Sequence, residues 1–468
     1  MQGNIVFVGA GGAGLSNIVG ILGELGYRNL IGINAERSQI TQQLEQQGVS
    51  IFSHGEYQVK AQDIVIYSSA AKESTEVQEA LRLKQETHAP LLIREYFEFL
   101  GEMSKYFRTI GFTGTNGKSS SSAMGIFAAS KILSNFWIGI VGALVPDFDG
   151  KSYMIDGEKK TDIKNIFEYI FSGRKLDYGV VKKYYFFLEA CEYERHFLSL
   201  DLEYAIITNL ELEHTDYFKD REDYESAFLE MIGKLKDKVF VLSDPGSEKI
   251  LNHEKAVIVE QQHFDLQYIW GEHQQKNASL VFGLLSAILK KEENSDPGLL
   301  RKLAMTIEQF RGIWRRMEFL KTTEKGAQIF SDYGHVASSL EVGLKALREK
   351  FPEKRITCIF QPHQMHRILV WWNEFPKALE GYDECYIYDI YAAREKIEDF
   401  AEKETFKQYH LKTVEDLGNS FAQHCGSVYL KKFEEVAEVI EKAEEDKVIV
   451  VYSAGDIDYQ LRRHLGVL

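Results

Sequence analysis

The string Gly114-Thr115-Asn116-Gly117-Lys118-Ser119 orders two glycines, a lysine and hydroxyls as a nucleotide triphosphate would need them. Backbone N–H groups freed by glycine can face phosphate oxygens, the lysine supplies positive charge, and the following serine reaches a divalent cation. The loop is shorter than the GxxxxGK[ST] pattern, whose first glycine would fall at Phe112. A second string, GAGGAG at 9–14, places Gly9, Gly11 and Gly14 so that backbone can approach a diphosphate at a helix N-terminus. An NAD-binding loop of this kind wants an acidic residue about twenty positions on for the ribose hydroxyls. Asn34 closes the next strand instead, so a different diphosphate is favoured, and close helix packing is the alternative use of these glycines.

Other polar strings follow apolar runs of strand length. EACEYERHF (189–197) puts Glu189 at the end of one such run, and TNLELEHTDYF (208–218) brings Asn209 and His214 to the end of another. Open α/β sheets bind ligands at that edge, where a carboxylate suits a hard cation. His214 taken alone reads equally as a structural histidine, and Cys191 as a small buried residue. DYGH (332–335), FQPHQMHR (360–367) and SAGDID (453–458) stand at the ends of three further runs. Their shared placement implies one polar edge carrying Asp332, His335, His363, Arg367 and Asp456.

The elements that must position these residues follow from the alternation of apolar runs with amphipathic stretches, the pattern of α/β domains with parallel sheets. Strands are expected over Asn4–Val8, Asn29–Asn34 and Asp63–Ser68, with a helix ending near Leu25, in a Rossmann-like domain spanning 1–105. A central P-loop-type ATPase domain, 106–312, carries strands Arg108–Phe112, Tyr184–Leu188, Glu203–Asn209 and Lys238–Ser243. A Rossmann-like C-terminal domain, 313–468, carries strand Gln328–Asp332, helix Ala337–Lys350, strands Arg355–Gln361 and Glu384–Ile390, helix Lys431–Glu445 and strand Val448–Ser453. Pro146–Asn165 is polar, without periodicity, and is expected to be an exposed insertion.

Length and composition agree with this division. The 468 residues exceed one hydrophobic core, and 44% apolar with 27% charged residues make a globular chain. Lys plus Arg number 55 against 70 Asp plus Glu, a net charge of −15 that argues against nucleic-acid binding, so anionic ligands must be met by specific pockets. The longest apolar run, Phe136–Val145, is too short to span a bilayer, and the start shows no leader segment. A cytoplasmic protein without membrane attachment, monomeric or weakly dimeric, is expected. The four cysteines form no CxxC pair and indicate neither a disulfide framework nor a structural zinc site.

Taken in order, GAGGAGLS, GTNGK, EACEYERHFL, TNLELEH, DYGH, FQPH with Arg367, DIYAARE and AGDI make the chain resemble the Mur ligases over nearly its whole length. Within them it is most similar to those joining L-alanine to the carboxylate of UDP-N-acetylmuramate. The resemblance implies that the first domain holds the UDP-sugar, with Gly9, Gly11, Gly12, Gly14, Ser69, Arg94, Glu192 and Arg195 among its contacts. It implies ATP and Mg²⁺ in the central domain: Gly114, Thr115, Asn116, Gly117, Lys118 and Ser119 at the phosphates, His273 and Asn277 near the base, and Ser119, Glu189 and His214 on the metal. Arg316 and Asp332 would meet ATP from the third domain, and His335 and Arg367 would lie near the amino acid, in a site assembled by domain closure. Several positions depart from the family pattern: Asn116 replaces a histidine, Gln274 an asparagine, Val336 and Ala337 a histidine and a proline, and Gln364 an arginine.

The chemistry implied is phosphorylation of the lactyl carboxylate by ATP, then attack by the alanine amino group on the acyl phosphate, with no protein nucleophile. Three alternatives differ in class or acceptor. A murein-peptide recycling ligase shares the fold and takes a peptide. A non-catalytic nucleotide-binding homologue would account for the departures at 274, 336 and 364. An NAD-linked oxidoreductase explains the first glycine string but not the second.

Overall fold

The computed structural model describes residues 3–35, 39–87, 91–173, 182–214, 217–292, 296–393, 395–400, 402–409 and 411–467. Arg394 of the DIYAARE string, and Thr215 and Asp216 after His214, lie outside the described residues.

Among the described residues, eighteen strands form three sheets. In the first, β1 (Ile5–Val8), β2 (Leu30–Ile33), β3 (Ser50–Phe52), β4 (Ile64–Tyr67) and β5 (Leu92–Glu95) run parallel in the order β3-β2-β1-β4-β5. The runs Ile-Val-Phe-Val and Leu-Ile-Gly-Ile are buried throughout, as strands covered on both faces must be. The order reverses between β1 and β4, so the GAGGAG loop sits at a switch point, where open sheets leave a crevice.

The second sheet contains β6 (Arg108–Thr113), β7 (Phe136–Val145), β8 (Lys151–Ile155), β9 (Tyr185–Glu189), β10 (Leu202–Ile207), β11 (Val239–Leu242) and β12 (Ala256–Val259), in the order β12-β11-β10-β6-β9-β7-β8. Among the described residues of this sheet only β8 is antiparallel. β6 therefore lies between β10 and β9, which brings GTNGKS, EACEYERHF and TNLELEH to one edge. The third sheet contains β13 (Glu318–Thr322), β14 (Gln328–Asp332), β15 (Arg355–Gln361), β16 (Glu384–Tyr388), β17 (Val428–Leu430) and β18 (Lys447–Ser453), in the order β13-β14-β18-β15-β16-β17. β14, β18 and β15 are adjacent and parallel, so the three polar strings that follow them share an edge as the sequence implied.

The chain divides into two compact units, one of residues 1–268 and 273–311 and the other of 269–272 and 312–468. The first unit holds two sheets because their cores are continuous. Ile5, Leu15 and Phe99 belong to the same buried cluster as Trp137, Phe167 and Phe186. Each aromatic side chain so buried contributes roughly 1.5–3 kcal/mol.

The expectation of an exposed insertion at Pro146–Asn165 is corrected by the structure. The segment forms a 3-10 turn, then β8, then the start of the helix Lys160–Ser172, with Phe148, Tyr153 and Ile163 buried. Its apolar residues are spaced too irregularly to read as an element, yet they find a core against the helix Ala13–Glu24. Lys151 Nζ and Tyr153 OH donate to Glu24 at 2.6 and 3.0 Å, and Ser152 Oγ bonds Asn17, whose side-chain amide donates to Val141 O at 3.0 Å. A Cβ at Gly20 would stand 2.5 Å from the Tyr153 ring, so glycine is required for this approach.

Candidate active site

The loop Gly114–Gly117 joins β6 to the helix Lys118–Ile132. Gly114 has φ +122° and Gly117 φ +87°, conformations that glycine adopts without steric cost. The space is also taken: a Cβ on Gly114 would lie 2.3 Å from Thr208 Oγ1, and one on Gly117 2.8 Å from Asn277 Oδ1. β10 braces the loop from one side. Asn116 N–H donates to Asn209 Oδ1 at 2.9 Å, Asn209 Nδ2 returns a bond to Asn116 O at 3.1 Å, and Thr115 Oγ1 donates to Glu211 O at 2.6 Å. Lys118 folds back into this frame, donating to Gly114 O (2.7 Å), Thr115 O (3.0 Å) and Glu192 Oε1 (2.8 Å). Asn277 thus lies against the loop, and His273 sits one turn earlier on the helix Glu272–Lys291.

Glu192 is the buried member of this edge, with no exposed surface and one carboxylate oxygen, Oε2, without a hydrogen-bond partner among the described residues. Burial raises its pKa, but the His214 imidazole and the Lys118 ammonium outweigh burial and hold the carboxyl below its usual range. The hydrogen bond with Glu192 in turn raises the His214 pKa against the effect of burial. Ligand atoms of Glu192, Glu213 and His214 all lie within 4.8 Å of one another. Two carboxylates, an imidazole and an orphaned buried oxygen suit a hard divalent cation. The structure therefore places Glu192, expected at the UDP-sugar, beside the phosphate loop, and pairs His214 with Glu192 rather than with Glu189. Glu189 instead accepts from Gly142 N–H at 2.9 Å on the β7 side.

Glu194 (φ +49°), Arg195 (φ +59°) and His214 (φ +55°) are all left-handed, an uncommon conformation for non-glycine residues. Arg195 is directed to Asp223 Oδ1 at 2.6 Å and Ser226 Oγ at 3.1 Å. Sequence reasoning did not single out Glu213, an exposed residue that stands next to His214.

In the first sheet, Gly9 (φ +90°) lies against Ser68, Gly11 against Asn34 and Gly14 against the Tyr96 ring, and Gly12 caps the helix Ala13–Glu24. Asn34 Oδ1 accepts from Gly11 N–H at 3.3 Å, the contact it makes where a dinucleotide site has its acid. Ser69 Oγ donates to Glu95 at 2.8 Å, and Glu95 caps the helix Tyr96–Ser104, placing both beside this crevice. Arg94, on β5, turns its guanidinium onto Ile93 O at 3.0 Å.

In the second unit, Asp332 ends β14 with both carboxylate oxygens occupied, by Met317 N–H and Gly334 N–H, each at 2.7 Å. Burial raises its pKa. Burial lowers that of His335 to about 4, although Tyr333 O accepts from its ring at 3.0 Å. The His335 and His363 rings are 6.1 Å apart, and Arg367 Nη1 donates to His363 Nδ1 at 2.9 Å. Gln361 Nε2 reaches Asp456 at 2.8 Å, while Arg316 lies 5.5 Å over the Tyr333 ring. The five residues expected at this edge are thus brought together, joined by Arg315, whose guanidinium bonds Ser453 O. Nothing in its sequence neighbourhood distinguished Arg315 from Arg316.

Three family models match the chain: "Mur ligase family, catalytic domain" over residues 4–108, "Mur ligase middle domain" over 112–285, and "Mur ligase, glutamate ligase domain" over 315–455. The UDP-N-acetylmuramate–L-alanine ligase of Acetivibrio thermocellus is 28% identical, covering 97% of this chain and 94% of its own. The structure of a UDP-N-acetylmuramate–alanine ligase from Thermotoga maritima superposes with a TM-score of 0.71 at 21% identity, covering 99% of this chain and 98% of that one. A murein peptide ligase from Psychrobacter arcticus superposes with a TM-score of 0.56 at 17% identity, covering 100% and 99%. Both structural likenesses concern the fold.

Proposed function

The chain belongs to the Mur ligase family, and from that premise we propose that it joins L-alanine to the carboxylate of UDP-N-acetylmuramate at the expense of ATP, in peptidoglycan precursor synthesis. The observation that carries the reading is the anchored Lys118: its ammonium is fixed inside the glycine loop by two carbonyls and by Glu192, at an edge that also gathers His214 and Glu213.

A carboxylate resists attack by an amine near neutral pH. The γ-phosphoryl group of ATP passes to the lactyl carboxylate, giving an acyl phosphate and ADP; the alanine nitrogen then attacks the carbonyl carbon, and inorganic phosphate leaves as the amide forms. Lys118 neutralises charge on the transferring group by position, without covalent chemistry. Glu192, Glu213 and His214, with the Ser119 hydroxyl, would hold Mg²⁺, which when bound supplies further neutralisation of phosphate charge. The crevice beside Gly9–Gly14, Ser69 and Arg94 receives the UDP-sugar. Arg367 is the carboxylate partner of the amino acid, and His335, kept neutral, adds no competing charge.

The test is phosphate release with UDP-N-acetylmuramate present and L-alanine, glycine, serine or a murein tripeptide supplied in turn. Alanine-dependent release supports the reading. Preference for the tripeptide would move the chain to the recycling ligases, and the absence of release with every acceptor would leave it a non-catalytic nucleotide-binding homologue.

A further inference from the structure

Two pockets in the first unit are lined by cations, and they differ in how those cations are compensated. One, of about 460 Å³, is lined by Lys105, Lys182, Asp201 and Lys234. Here each ammonium has a carboxylate: Lys105 has Glu102 at 3.2 Å, Lys234 has Glu230 at 2.9 Å, and Lys182 shares Asp201 with Lys236. The other, of about 540 Å³, lies between the end of the helix Lys118–Ile132 and the helix Pro297–Glu308, and takes Lys131, Arg301 and Lys302 into its wall. Among the described residues no carboxylate pairs with any of these three. The nearby Asp296 is committed to the first turn of its helix, accepting from Gly298 N–H at 2.9 Å.

In a chain with 70 acidic and 55 basic residues, this concavity gathers three cations and no carboxylate into its lining. The Lys131 ammonium is also positioned, 4.4 Å over the Phe127 ring. The pocket wall also includes Met305, 51% exposed, and Gln309, about one and two helical turns beyond Arg301. The size falls within the range of small-molecule sites, and a guanidinium beside two ammonium groups matches a multiply charged oxyanion. From these features we propose that the pocket binds a multiply phosphorylated small organic molecule, its phosphates on Arg301, Lys302 and Lys131 and its carbon skeleton on Met305 and Gln309. The site is separate from the nucleotide loop. Lys131 and Lys118 stand at opposite ends of one helix, a rise of about 20 Å.

The experiment is isothermal titration of the full chain with fructose 1,6-bisphosphate, and separately with pyrophosphate. Arg301→Ala/Lys302→Ala changes two exposed side chains and should leave the melting temperature unaltered while weakening bisphosphate binding at least tenfold. The loop variant Lys118→Ala/Glu192→Gln should bind the bisphosphate as the wild type does. Equal affinity of wild type and Arg301→Ala/Lys302→Ala, or loss of binding in the loop variant alone, would overturn the site. Pyrophosphate binding as tightly as the sugar bisphosphate would overturn the role given to Met305 and Gln309.

Discussion

The active edges of the central and C-terminal sheets have the same topology and opposite electrostatics. Each collects polar residues beyond the ends of adjacent parallel strands, β10, β6 and β9 in one, β14, β18 and β15 in the other. At the central edge charges are joined in a closed set, Lys118 with Glu192 and Glu192 with His214, and that set raises the imidazole pKa. At the C-terminal edge burial lowers the pKa of both His335 and His363, while Asp332 spends its oxygens on backbone N–H groups and Arg367 stands on a histidine. Placement at a sheet edge therefore does not set the charge state of a site. The partner each buried group finds does so: Lys118 and His214 for Glu192 at one edge, and backbone N–H groups for Asp332 at the other.

The sharpest break in this comparison is Lys118→Ala. It removes the loop charge, so ligation should fall by about 10³-fold or more. It also leaves Glu192 buried with one partner fewer, so the unit should lose stability, by about 3–5 kcal/mol if the pair behaves as a buried one. Adding Glu192→Gln should restore the urea midpoint but not phosphate release; a single variant as stable as wild type would show the central edge not to be a coupled charge set. Next in size, Arg367→Lys cannot reproduce a bidentate fork and should raise the KM for alanine about tenfold or more with the KM for ATP little changed. Unaltered alanine kinetics would remove the carboxylate from this edge.

The third prediction concerns protons. An unfolded histidine takes up its proton near 6.5, whereas His335 in the fold does so near 4. Between those values the unfolded chain binds more protons, so stability of the second unit should decline as pH falls from about 6.5 to about 4 and level off below. The decline attributable to this residue is at most about 3 kcal/mol. His335→Gln should flatten it in urea melts across that window, and an identical slope in the variant would show that His335 is not held neutral. The smallest effect is expected away from both edges: Lys151→Ala breaks a partly exposed pair with Glu24 and should cost less than about 1 kcal/mol with kinetics unchanged.

Much of this was written in local pattern. β14, the helix Ala337–Lys350 and β15 begin and end where the apolar runs and polar strings place them, because strands buried on both faces read as continuous apolar runs. The glycine loops, the lysine and the polar strings were legible for the same reason, since a sheet's topology delivers strand ends to one edge. What depended on tertiary structure was any property that needs a distant partner. The segment 146–172 became a strand and a helix only because residues such as Tyr153 and Ile163 could bury themselves in the first unit's continuous core. The choice between Glu189 and Glu192 was likewise not local. Both follow β9 by the same sequence logic, but in the fold Glu192 meets Lys118 and Glu189 meets Gly142. Sequence alone determined which residue types reach each edge; burial and charge partners, which exist only once remote segments pack together, decided what those residues can do there.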